Sequence, residues 1–139
     1  MLPPESRLRS SEGFARAIKT GRKKGSRTVV VYVLQGDGII QDGPRAGLVV
    51  SKAVGNAVKR HGVSRLIRHA LRDIFDAAAA GDPPSGSEWW AKLRPEGRSP
   101  DWYSPGTLIV VRALPASAHA TFKEVRADVA SCIRRASKS

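Results

Sequence analysis

From Lys52 to Arg72 the chain carries six Lys or Arg residues, two His and no acid, threaded through an apolar pattern of helical period. On a helix advancing 100° per residue, Val63, Leu66, Ile67, Ala70, Leu71 and Ile74 gather on one side. His61, Arg65, Arg68 and Arg72 gather on the other. One face can be buried while a polyanion lies along the second, so a single segment can both hold a core together and bind phosphate. It is opened by the turn-like Val54-Gly55-Asn56-Ala57.

The rest of the chain must supply a core for that helix to rest on. With 139 residues, 41% of them hydrophobic, one compact domain over residues 1–139 is expected. A formal net charge of +12 points to a polyanionic partner, because such an excess repels itself until an anion relieves it. Nucleic acid suits this sequence better than a membrane surface, since aromatic and short apolar runs interleave with the charge. The single Cys132 excludes an internal disulfide and a Cys-based zinc site, and reads as a core thiol in a reducing compartment. Met1-Leu2-Pro3-Pro4-Glu5 has no apolar signal character, and no run approaches the roughly 18 apolar residues of a membrane span. A cytoplasmic protein is expected.

Along the chain, Ser10 or Ser11 can cap a short helix through Lys19, with Phe14 and Ile18 one turn apart and Gly21 as its stop. Gly21-Arg22-Lys23-Lys24-Gly25 reads as an exposed basic loop. Thr28 to Leu34 is a β-branched strand, and a hairpin with Ile39-Ile40 is expected across the glycine-rich turn. Ala46 to Ser51 is another strand, leading straight into the basic helix, which ends near Ala80-Gly81. Residues 81–106 then hold five prolines, four glycines and all three tryptophans, which reads as a Pro/Gly/Trp-rich insertion. Trp89, Trp90 and Trp102 either anchor that loop or offer a stacking surface, anchoring being favoured. Thr107 to Val111 restores a buried strand. Thr121 and Glu124 form a capping box for a last helix facing inward through Phe122, Val125, Val129, Cys132 and Ile133. The order describes a small α/β sandwich, helices over a mixed sheet.

Catalytic groups are scarce. His61, His69 and His119 lack metal-binding spacing, and each reads as a surface or RNA-contacting side chain. Asp73 and Asp76, at i and i+3, read as a solvated helix edge rather than a metal site. No catalytic residue and no protein metal site is expected. The basic segment differs in kind. Gly55-Asn56 lets backbone approach a phosphate, Lys52, Arg60, Arg65 and Arg68 supply charge and forked donors, and the Asn56 amide can meet a base edge.

In its order, strand then Lys52-Ala53-Val54-Gly55-Asn56-Ala57-Val58-Lys59-Arg60 then basic helix, the chain resembles the bacterial ribonuclease P protein subunit. Arg7-Leu8-Arg9 before Phe14, the Gly21-Arg22 loop, Arg27-Thr28 entering a strand with Tyr32, and Leu108 to Val111 followed by Ala113-Leu114-Pro115-Ala116 also fall in family order. Two departures stand out: Arg60-His61-Gly62 replaces the family's Arg-Asn-Arg, and Ser64 occupies a usually basic position. Gly62, a poor helix former, suggests a local adjustment of the helix there.

The resemblance implies a ribosomal protein S5 domain 2-like α+β two-layer sandwich, with a mixed four-stranded sheet, about three helices and a left-handed βαβ crossover. It implies an accessory subunit of an endoribonuclease whose RNA subunit cuts precursor tRNA to release the 5′ leader, with Mg2+ held mainly by the RNA and substrate and no organic cofactor. Lys52, Asn56, Lys59, Arg60, His61, Arg65, Arg68 and Arg72 would bind the catalytic RNA. Phe14, Ile18, Tyr32, Arg22 and Arg27 would line a cleft for the single-stranded leader. Precursor tRNA and that RNA are the implied partners, with no membrane and no obligate protein partner. Three rivals stand beside this reading: a ribosomal-protein-like RNA-binding module, a self-sufficient nuclease and a membrane-surface protein.

Overall fold

The computed structural model describes residues 6–36, 42–80 and 100–137. In chain order these form α1 (Ser11–Thr20), β1 (Arg22–Gly25), β2 (Val29–Leu34), β3 (Arg45–Val49), α2 (Ala57–Ala80), β4 (Leu108–Ala113) and α3 (Phe122–Ser137). Short 3-10 turns at Lys52–Val54 and Pro115–His119 precede α2 and α3. The sheet runs β1-β2-β4-β3, antiparallel except for β3 beside β4, which are parallel and joined through α2. This is the mixed four-stranded α+β arrangement expected.

Why β2 and β4 read as unbroken apolar runs is plain from their two faces. Val29, Val31 and Val33 of β2, with Ile109, Val111 and Ala113 of β4, point into a core shared with α2 and α3. Tyr32 of β2, with Leu108 and Val110 of β4, points the other way, against Leu8 and Ala17, with Phe14 packed beside them. A strand covered on both faces loses the alternation that a half-solvated strand shows. Helix α1 is therefore the cover of the second face. Its Ser10 cap forms as expected, the Oγ accepting from Gly13 N at 3.1 Å.

The apolar stripe of α2 is buried much as its periodicity requires: Val63, Ile67, Ala70, Leu71 and Ile74 are buried, Leu66 only partly, and Phe75 extends the set. Each fully buried aliphatic side chain contributes about 1.5–3 kcal/mol as an upper bound. The α3 capping box closes reciprocally, Glu124 N donating to Thr121 Oγ1 at 3.2 Å and Thr121 N to Glu124 Oε1 at 2.8 Å. Cys132 is buried, and that burial pushes its thiol pKa up. Thr28, also buried, ties β2 to α3 by donating to Asp128 Oδ2 at 2.6 Å.

Two expectations are corrected. Arg22 to Gly25 is not a loop but the edge strand β1, pairing from Arg22 opposite Val33 to Gly25 opposite Val30, with all four residues exposed. An edge strand pairs through its backbone and needs no apolar side chain, and lysines on it discourage further strand addition. The observed hairpin is thus β1–β2, while the one expected at Ile39-Ile40 lies outside the described residues. Gly62 causes no local adjustment, since α2 is α-helical throughout 57–80.

Of the 81–106 stretch only Pro100 onward is described, and Trp89 and Trp90 lie outside it. Trp102 is 1% exposed, its ring 5.6 Å from that of Phe75 and 5.7 Å from that of Tyr103. It is an anchor on α2, as favoured above. Trp102→Ala should cost about 3–5 kcal/mol by urea unfolding, the range for truncating a buried aromatic side chain. A change below 1 kcal/mol would remove the anchor role.

Candidate nucleic-acid interface

Local backbone chemistry explains the opening of the basic segment. Gly55 has φ 152°, a conformation that side chains disfavour, and a Cβ there would stand 3.0 Å from the Lys59 Cβ and Cγ. Asn56 caps α2: its Oδ1 accepts from Lys59 N at 2.9 Å, and its carbonyl accepts from Arg60 N at 2.9 Å. The cap occupies the side-chain oxygen and leaves the amide NH2 as a fixed, exposed donor.

The charge on α2 runs against the helix dipole. Its first turn has no acid and includes Lys59 and Arg60, and its last turn has no base. Cations at a helix N-terminus are unfavourable by about 0.3–1 kcal/mol each at exposed sites. Nor do neighbours relieve them: Lys52, Lys59, Arg60, Arg65 and Arg68 make no ion pair among the described residues. The acids of α2 lie near its other end and are engaged, Asp73 by Arg126 at 2.9 Å and Asp76 by Arg72 at 3.7 Å. Among the residues expected to bind the catalytic RNA, Arg72 is therefore the one seen to share its charge with an acid among the described residues. Asp73 and Asp76 turn to different partners, and no three His, Cys, Asp or Glu side chains gather among the described residues.

Two hollows meet on this helix. His61, Arg65, Arg68 and His69 line a cationic groove of about 320 Å³. Arg68 also lines a second hollow of about 190 Å³ at the β3 edge, with Arg7, Leu8, Phe14 and Gly47. Phe14 reaches this place because Gly47 has no side chain: a Cβ there would clash with the Phe14 ring. The basic face and the aromatic side of α1 are thus contiguous through one residue, Arg68.

The five residues expected in the leader cleft do not all assemble. Phe14 is half-buried, Ile18 is 44% exposed, and Tyr32 is 5% exposed, packed between α1 and the sheet as a core side chain. Arg22 lies opposite Val33, on the face of α2 and α3, so β1 brings Lys23 rather than Arg22 to the face of Tyr32. Arg27 pairs with Glu124 at 3.0 Å on α3. Sequence reasoning missed Lys23 and Arg112, the latter opposite Val30 and exposed on the same face as Tyr32. The polar interruption of β4 at Arg112 was the available signal.

A protein-family model described as Ribonuclease P matches residues 2–83. The chain belongs to the ribonuclease P protein family. A Corynebacterium jeikeium protein named ribonuclease P protein component is 46% identical, the match covering 98% of each chain. One of the same name from Streptomyces griseus is 38% identical over 97% of this chain and 94% of that one. The fold is similar to the Staphylococcus aureus RNase P protein, with TM-score 0.62, 23% identity and 95% of each chain covered. It is also similar to the Thermotoga maritima RNase P protein, with TM-score 0.60, 22% identity and coverage of 93% and 96%. The family is the protein subunit of ribonuclease P, the endoribonuclease of tRNA 5′ processing, and its partner is ribonuclease P RNA.

The family's missing arginine at Gly62 leaves an exposed helical position with nothing within 4 Å of a Cβ. Gly62→Ala should therefore raise stability by about 0.5–1 kcal/mol in urea unfolding. Gly62→Arg should tighten RNA binding while folding equally well. A destabilised Gly62→Ala would show that the position is constrained in a way this geometry does not contain.

Proposed function

We propose that the chain is a positioning subunit: α2 docks on catalytic RNA, and the hollow beside Phe14 receives the single-stranded 5′ leader of precursor tRNA. The observation that carries this reading is Arg68, which lines both the cationic groove and the Phe14 hollow. A nucleic-acid strand leaving the basic helix meets an aromatic side chain without crossing an acidic surface. Phe14 offers a ring to an unpaired base, a contact worth about 1–3 kcal/mol and tolerant of sequence. Arg112 and Lys23 stand on the same sheet face to meet leader phosphates.

In this reading the chemistry belongs to the RNA. Mg2+ would be held by RNA and substrate and supply the activated water; the described residues of this chain do not fit a magnesium site, their paired carboxylates being turned to arginines. The protein binds, aligns and neutralises. A cytoplasmic location goes with that role, and no described helix is long and apolar enough to cross a membrane.

The test is reconstitution with ribonuclease P RNA at low magnesium. Added protein should raise precursor cleavage, and no gain would sink the proposal. Cleavage by protein alone, lost on Asp73→Asn, would favour a protein nuclease instead. If about six phosphates are engaged, log affinity should fall with log salt at a slope of about −4 to −5. Arg65→Ala should make it shallower by nearly one unit. For the cleft, Phe14→Leu should weaken leader-bearing precursor more than mature tRNA, and equal effects would return Phe14 to a packing role.

A further inference from the structure

The turn before α2 and the 3-10 turn before α3 are 60 residues apart in the chain by number (residues 55 and 115), yet they face each other across a hollow of about 460 Å³. Gly55, Asn56, Val58 and Lys59 form one wall, Ala118 and His119 the other. Its size is that of clefts that hold small organic groups. Neither the groove of His61 and Arg65 nor the hollow beside Phe14 includes it.

Its chemistry is more selective than charge alone. Val58 is 82% exposed, an apolar side chain left open to water within an acid-free cationic segment. His119 is exposed, and among the described residues its side chain has no hydrogen bond or ion pair. The turn carrying it is locked: Ser117, 1% exposed, donates from Oγ to Leu114 O at 2.6 Å and from N to the same oxygen at 2.9 Å. Opposite it, the cap bond pins Asn56 so that its amide NH2 is presented in one orientation. Lys59 stands beside them without an acidic partner among the described residues.

A flat ring, an exposed apolar surface, an oriented amide donor and a free ammonium together match one chemical unit, a nucleotide whose base has left its stack. A phosphate alone would have no use for Val58 or for a fixed amide. We propose that the hollow is a nucleobase site: an unpaired nucleotide of the bound RNA lays its base between His119 and Val58, accepts a hydrogen bond from the Asn56 amide and sets its phosphate near Lys59. This rests on the RNA-docking role of α2 proposed above and extends it to a base-reading contact.

The experiment measures affinity of the full chain for ribonuclease P RNA across a salt series, with thermal melts verifying that the exposed-site variants fold. His119→Ala and Val58→Ser should each weaken binding about five- to tenfold, as loss of part of a stacking contact does, with the salt slope unchanged because no phosphate contact is lost. His119→Phe, which keeps a flat ring and discards the ring nitrogens, should bind like the parent. Unchanged affinity in both His119→Ala and Val58→Ser overturns the site. So does a slope shallower by nearly one unit in His119→Ala together with an equal loss in His119→Phe, which would make His119 a phosphate contact. If Arg65→Ala still changes the slope while these variants do nothing, the nucleobase site fails and RNA docking stands. If the parent protein shows no salt-dependent RNA affinity, both fail.

Discussion

Burial of the α2 stripe against the sheet and α3 is the interaction on which the rest depends. Val63, Ile67, Leu71 and Ile74 are at most 3% exposed, and their removal from water fixes the rotation of the helix about its axis. Once that rotation is set, His61, Arg65 and His69 have no choice but to face outward. The same contact holds cations near the positive end of the helix dipole, where they repel it and one another. The unrelieved charge is then a property of the free protein that a polyanion removes, and the folding energy of the core sustains it.

The sheet divides its labour by face. One face is roofed by α2 and α3 over β2 and β4 and is further tied by Thr28 to Asp128 and by Arg126 to Asp73. The other is covered by α1 and by Leu8 just before it, and the Phe14 of α1 sits in the gap left by Gly47. Partial cover explains why the aromatic hollow exists: α1 offers too few apolar residues to close the sheet over Val49, Val30 and Arg112. The hollow and the basic helix come together at the β3 edge, where Arg68 of α2 reaches the same space as Arg7 and Phe14.

Asn56 and Gly55 show how one motif can hold local and functional meanings at once. Gly55 satisfies a backbone angle, and Asn56 satisfies the first amides of α2. Both needs are internal to the chain, yet meeting them leaves an oriented amide beside Val58 and opposite His119. Charge at the C-terminal end of α2 is treated differently, with Arg72 and Asp76 paired along the helix. The cations of α2 without an acidic partner among the described residues are confined to its N-terminal two-thirds, so the stretch of unrelieved positive charge has a defined end.

Much of this was legible in the sequence, because the helical period, the capping residues and the apolar strands are local signals. The two faces of α2, the Ser10 and Thr121 caps, the inward face of α3 and the family motif from Lys52 to Arg60 all follow from residues near one another in the chain. What the tertiary structure decided was which distant groups meet. Pairing register moved Arg22 to the far face and brought Lys23 and Arg112 to that of Tyr32. Packing made Tyr32 a core residue, engaged Arg27 with Glu124, and set His119 across from Asn56. Periodicity assigns a side chain to a face of its own element, whereas its neighbours depend on strand order and on the covering helices, which no single segment encodes.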